Sequence, residues 1–331
     1  MQINQNQRDG TAEIGNKWVG ILKMNPEYLQ QFRNENLRKL LLREENIPRL
    51  EEVLNDHSEN FLLLKRAIGT KKEADSTRKV EKGELREVFS EVCRDVNAFL
   101  ETNTNMPQCR YGDLLNPKGE KITVIALLIA AGFFLYEARS LGLKEGIPAL
   151  VTSQYYLYLA DKIFWMSSNP HYNRFSKKVT IPKRHYSLRT SFIPVAAHEY
   201  AHHVQREAEI KPSFSSPRMF RIFHEGHAYG VERYIAEVYK QKENNPFFEF
   251  LISNRTIGEL KNVYLWSCRF HKREPKQDLL RAISSEDAYY LRRRYPNTHA
   301  MGNALFSIYE AEQGNRIYRE MIHGRFKFPE T

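Results

Sequence analysis

The sequence predicts a mainly α-helical protein with a small β component, in which an N-terminal helical region precedes a larger domain. Three observations carry this expectation. Apolar residues recur at three- and four-residue steps among charges through much of the first hundred residues. The most distinctive histidines lie in apolar stretches of helical length. Only one segment, Lys178 to Leu188, mixes β-branched and aromatic residues in the manner of a strand.

Taken in order, Tyr28, Phe32, Leu37, Leu40 and Leu41, then Leu50, Val53 and Leu54, place helices between residues 16 and 65. Gly69 to Gly83 is polar and charge-rich and reads as an exposed linker. Leu85, Val88, Phe89, Val92 and Val96 share one face of the next helix. Pro107, Gly112, Asn116, Pro117 and Gly119 are turn signals. The domain boundary is placed among them, with residues 1–110 as the N-terminal helical region and 111–331 as the second domain.

Ile122 to Tyr136 is apolar apart from Thr123, a run of 15 residues. A membrane span needs roughly 20, so a buried core helix over 122–140 is expected and no membrane span. A helical run follows from Tyr155 to Trp165, whose Tyr155, Tyr156 and Tyr158 are expected in the core or a cleft wall. Asn169-Pro170 marks a loop. Pro182 restricts the strand at 178–188 to an edge or a bulge.

The formal net charge of +10 would suit nucleic acid, an anionic membrane surface or an acidic protein. The basic residues are spread along the chain, however, and their tightest clusters (Lys71-Lys72, Lys177-Lys178, Lys183-Arg184 and Arg292 to Arg294) sit in no recognisable nucleic-acid module. Cys93, Cys109 and Cys268 are an odd number without CxxC spacing. The start MQINQNQRDG has neither the basic nor the apolar part of an export signal. Together these predict a soluble cytoplasmic protein whose thiols are reduced packing residues.

The stretch that points to chemistry is His198-Glu199-Tyr200-Ala201-His202. On a helix, histidines at i and i+4 lie one turn apart on one face, so both imidazoles can reach one tetrahedral zinc ion. Glu199 is rotated about 100° from His198, which sets its carboxylate beside the metal, where it can take a proton from an activated water. Ser191 is the expected N-cap, with Pro194 in the first turn. His203 is on the wrong face for the same metal and is expected at the surface. A catalytic zinc needs a third protein ligand, and the next helix offers His224, Glu225 and His227. A polar turn at Lys211 to Pro217 would let that helix fold back antiparallel on the first.

Glu225-Gly226-His227-Ala228-Tyr229-Gly230-Val231-Glu232-Arg233 resembles the EGHxxxxER segment of the zinc aminopeptidases and leukotriene hydrolases, in the gluzincin group of metallopeptidases. The resemblance implies a zincin-like catalytic domain, with Glu225 as the third zinc ligand and Gly226 keeping its helix slim beside the metal helix. Glu232, two turns on, would orient a zinc-ligating histidine. In the same group a tyrosine stands three residues before a glycine that opens an apolar helix. Here His299 stands before Gly302 in that position, and either His299 or the nearby Tyr295 would donate to the developing oxyanion. The GxMEN motif that binds a free amine in the aminopeptidases has no counterpart, and Val179 to Tyr186 would be the edge strand that pairs with an extended peptide. The resemblance spans roughly residues 195–315.

The expected activity is therefore peptide-bond hydrolysis by one zinc ion, with Glu199 as base and a peptide or protein as substrate. A second reading keeps the zinc but restricts the client to one specific partner protein, with the N-terminal helices serving docking or nucleic-acid binding. A third is a non-catalytic binding protein on the same scaffold.

Overall fold

A computed structural model describes residues 43–68, 80–81, 83–112, 117–141, 145–168, 170–173, 176–182, 188–210, 217–277 and 298–326. The helices expected before residue 43, most of the 69–83 linker, the 211–216 turn and Tyr295 lie outside them. The described chain is mainly helical with one small sheet. Its elements are α1 (Asn46–Ile68), α2 (Leu85–Leu100), β1 (Gln108–Tyr111), α3 (Pro117–Ser140), α4 (Ile147–Ser168), β2 (His171–Asn173) and β3 (Lys178–Ile181). There follow α5 (Arg189–Glu207), α6 (Pro217–Glu243), α7 (Phe247–Phe270), α8 (Thr298–Gln313) and α9 (Arg316–Ile322).

α6 is the centre of the body. From Ile222 to Glu232 every residue is buried, the signature of a helix covered on all sides. α5, α7 and α8 pack around it, with α2 and α9 at one end. Arg189 at the start of α5 pairs at 2.7 Å with Glu243 at the end of α6, which fixes the two helices antiparallel. Pro217 is the first residue of α6, where its missing N–H loses nothing.

The apolar stripe read from α2 faces this core: Leu85, Val88, Phe89, Val92, Val96 and Leu100 are all buried, as are Leu50, Val53 and Leu54 of α1. α1 packs on α7 and α2 on α5, and both join one continuous apolar cluster with α5 to α9. The boundary expected near residue 110 therefore separates no independent cores. Tyr200 of α5 reinforces the junction by donating from its hydroxyl to the Thr104 carbonyl at 2.6 Å.

The sheet corrects the strand expectation. Its order is β1-β3-β2, β1 pairing parallel and β2 antiparallel with β3. β3 is thus the central strand, buried at Val179, Thr180 and Ile181, and has no edge for a peptide. Pro182 lies one residue beyond it, where no ladder hydrogen bond is needed from its nitrogen.

A second correction concerns α3 and α4. They form a hairpin whose extensive packing, among the described residues, is of one helix on the other. Ile122, Ile125, Ile129, Phe133 and Tyr136 are exposed rather than buried, and Tyr155 and Tyr158 of α4 line neither core nor cleft. The segment is apolar along its length without a distinct polar face, so its composition does not say what would cover it.

Candidate metal centre

α5 is apolar on most of its circumference, and the fold buries it between α2, α6 and the sheet. Its start differs from the capping expectation. Leu188, in extended conformation, is the N-cap, and its carbonyl accepts from Ser191 N and Phe192 N at 3.1 and 2.9 Å. Ser191 is already inside the helix, as is Pro194.

The side chains of His198 and His202 point from α5 toward α6, where they meet Glu225. The donor atoms of these three residues all lie within 4.8 Å of one another. Glu225 Oε2 stands 3.5 Å from His198 Nε2 and 3.4 Å from His202 Nε2. Ligand atoms about 2.1 Å from a tetrahedral metal ion lie about 3.4 Å apart, so these two edges are compatible with a shared metal ion. Glu225 Oε2 is itself buried without a hydrogen-bond partner, a costly arrangement for a carboxylate oxygen unless a cation meets it. The three side chains are only 11–13% exposed.

Both histidines are oriented by their other nitrogen. His198 Nδ1 donates to Glu232 Oε2 at 3.1 Å, and His202 Nδ1 donates to Gln205 Oε1 at 2.9 Å. A neutral imidazole with its proton on Nδ1 offers its Nε2 lone pair to a metal. With no metal, burial pulls His198 down, but Glu225 and Glu232 outweigh it and raise it to about 10. Glu232 is in turn paired with Arg255 of α7, whose guanidinium lies 4.8 Å over the Tyr229 ring. Burial pushes Glu232 up, but Arg255 and His198 outweigh it and hold the carboxyl below its usual range. Gln205 is held by donating to the His224 carbonyl at 2.9 Å and to His227 Nδ1 at 3.0 Å; His227 Nε2 donates to the Tyr318 carbonyl at 3.1 Å. His227 thus has both nitrogens engaged away from the triad.

Glu199 is buried beside the triad, with His198, His202, Glu225 and His171 as its electrostatic neighbours. Burial raises its carboxyl above the usual range despite the nearby imidazoles. Glu225 behaves in the opposite way. Burial pushes it up, but its interactions with His299, His202 and His198 outweigh burial and hold it well below the usual range. His299 reaches the same Glu225 oxygen at 3.3 Å from the start of α8 and stands outside the triad proper. Burial lowers its pKa to about 4, leaving a neutral imidazole at the rim.

Several expectations change. His203 is buried rather than at the surface; its ring nitrogens lie 3.0 Å from the Tyr172 hydroxyl and 3.0 Å from the Asn105 carbonyl, tying α5 to β2 and the segment after α2. Gly226 packs against α8, not α5: a Cβ there would lie 2.8 Å from the Gly302 carbonyl carbon. The three cysteines are free, and burial raises all their thiols, Cys109 to about 12, so none is a ready nucleophile. Gln205, Tyr229 and Arg255 are the residues that the sequence did not mark. Gln205 had a signal, since i+3 from His202 is within reach on a helix; Arg255 had none.

Beside His202 opens a cavity of about 310 Å³ lined by Gln205, Arg206, Glu209, Ile210, Phe220 and His224. No protein-family model, curated protein or solved structure matches this chain.

Proposed function

We propose that this chain is a zinc metallopeptidase of the gluzincin type with a zincin-like catalytic core. In this reading His198, His202 and Glu225 hold one zinc ion, Glu199 transfers the proton and His299 faces the oxyanion. The observation that carries the reading is the pair of 3.4–3.5 Å edges from Glu225 Oε2 to two imidazoles whose Nδ1 atoms hydrogen-bond to other partners. Two imidazoles and one carboxylate are a donor set typical of hydrolytic zinc, which leaves a fourth position open.

Zinc bound there supplies Lewis acidity and brings the pKa of water toward neutrality. Glu199 takes the proton of the attacking water and returns it to the leaving amine, a role supported by its burial and raised pKa. His299, neutral at working pH, donates a hydrogen bond to the carbonyl oxygen as charge develops on it. The cavity beside His202 receives a side chain of the peptide, with Ile210 and Phe220 as apolar wall and Arg206 and Glu209 at its rim.

The test is elemental analysis of purified protein combined with casein hydrolysis. Wild type should carry one zinc per chain, His202→Ala only background zinc, and Glu199→Gln full zinc without hydrolysis. Stoichiometric zinc in His202→Ala would remove this motif from the metal site.

A further inference from the structure

We propose that the α3–α4 hairpin inserts into the hydrocarbon of an anionic lipid bilayer. The stretch Ile122–Ser140 is long and apolar enough to cross a membrane, and only 6% of it is buried. At 1.5 Å per residue its 19 residues extend about 28 Å, close to the roughly 30 Å of bilayer hydrocarbon. A soluble protein hides such a helix in its core; this one stands outside it.

The hairpin is also built inside out. The interface between its helices uses small residues: Ala131, Ala149, Ser153 and Ala160 are buried there, and Phe134 stacks on Tyr156. Ser153 Oγ donates to the Ala131 carbonyl at 2.8 Å across the pair. Close packing on small side chains with an interhelical hydroxyl bond is how helices associate where the surroundings are as apolar as they are. The large apolar residues face outward. At about 100° per residue, Ile122, Ile125, Leu128, Ile129, Phe133, Leu135 and Tyr136 cover roughly half the circumference of α3, all of it turned from α4. Val151, Tyr155, Leu157 and Tyr158 do the same on α4. A single docking partner covers one face, whereas lipid covers all of them.

Charge selects the lipid. The chain carries +10, and no charged residue lies between Ile122 and Tyr136. Lys118, Glu120 and Lys121 precede that run with a net charge of +1, and Glu137 and Arg139 follow it. The hairpin leaves the body from one end of the sheet. β1 ends at Tyr111 opposite Ile181, β2 begins at His171 opposite Thr180, and Arg110 is exposed at that same end. Basic residues at the base of an apolar hairpin suit anionic headgroups.

The experiment is flotation of the full chain with phosphatidylcholine vesicles, with and without phosphatidylglycerol. Wild type should float with the anionic vesicles and remain bound through a high-salt and an alkaline carbonate wash. Ile129 and Phe133 are 68% and 56% exposed, so Ile129→Arg/Phe133→Arg should keep its helicity and melting point while binding falls roughly 100-fold. Ile129→Leu/Phe133→Leu should bind like wild type. Wild type remaining at the bottom of the gradient, or the arginine variant floating equally well, would overturn the proposal. So would a wild-type dimer that ignores vesicles and dissociates on the arginine substitutions, since a second copy would then cover the hairpin.

Discussion

Replacing Glu232 with Gln should weaken zinc binding without touching any residue of the triad. Glu232 is 1% exposed in its side chain, accepts from His198 Nδ1 at 3.1 Å and is paired with Arg255. The amide preserves volume and leaves an acceptor, but removes the negative charge that makes His198 a stronger donor. Loss of such a supporting carboxylate typically lowers metal affinity about 10- to 100-fold, or roughly 1.4–2.7 kcal/mol. It also strips Arg255 of a partner. A fully buried charge left alone costs about 3–5 kcal/mol, but the Arg255 side chain is 32% exposed and can turn toward water, so about 1–3 kcal/mol of lost stability is expected. Zinc affinity is read by competition with a chromophoric chelator, and stability by urea denaturation of the metal-free protein. Arg255→Gln is the control, because it breaks the same ion pair but keeps the carboxylate on His198. If Glu232→Gln binds zinc within twofold of wild type, or if Arg255→Gln loses as much affinity for the same loss of stability, the orienting role of Glu232 is refuted.

Three further outcomes follow from the geometry. His299→Ala should retain zinc by elemental analysis while turnover of a reporter peptide falls about 10²- to 10³-fold, the usual loss for one oxyanion donor. Gly302→Ala should destabilise the protein by at least about 2 kcal/mol in urea denaturation, because its Cβ would meet the Ile222 carbonyl and lie 2.6 Å from the Gly226 nitrogen, backbone that cannot yield cheaply. His57, far along the chain from the triad, is lowered by burial and by Arg233 from 6.5 to about 4, so the folded protein keeps it neutral. The unfolded chain protonates it first, and its contribution, complete above about pH 6.5, fades as pH falls toward 4. At 1.36 kcal/mol per unit, about 2 kcal/mol is gone by pH 5. A pH series of denaturation curves should show that slope reduced in His57→Gln.

What the sequence revealed and what it concealed divide along physical lines. The stripe of α2 and the i, i+4 histidines of α5 are local patterns, and a helix of known pitch turns them into geometry without further information. Spacing alone left His224, Glu225 and His227 open as partners of the two histidines, and only the resemblance of the Glu225–Arg233 segment singled out Glu225. Glu232 then followed as the residue two turns on, on the same face. The hairpin was misread because the length of an apolar run reports that a segment is apolar, not what surrounds it; Ile129 and Phe89 look alike in sequence and have opposite surroundings. Pro182 misled in another way. A proline bars a central strand only where its nitrogen falls within the ladder, and here it falls one residue beyond Ile181. Arg255 could not have been found. It lies on a third helix, and only the packing of α7 on α6 brings its guanidinium to Glu232.

The contact of Gly226 with Gly302 has a consequence for how the two halves of the centre stay in register. Glu225 immediately precedes the first glycine, and His299 lies three residues before the second. Between them α6 and α8 come within backbone contact at Gly226 and Gly302, with the Phe306 ring packed beside Gly226. The separation of the two backbones, from which the Glu225 and His299 side chains start, is thus set by the absence of a Cβ at either glycine. A side chain larger than hydrogen at either glycine would push the two helices apart and carry His299 away from Glu225.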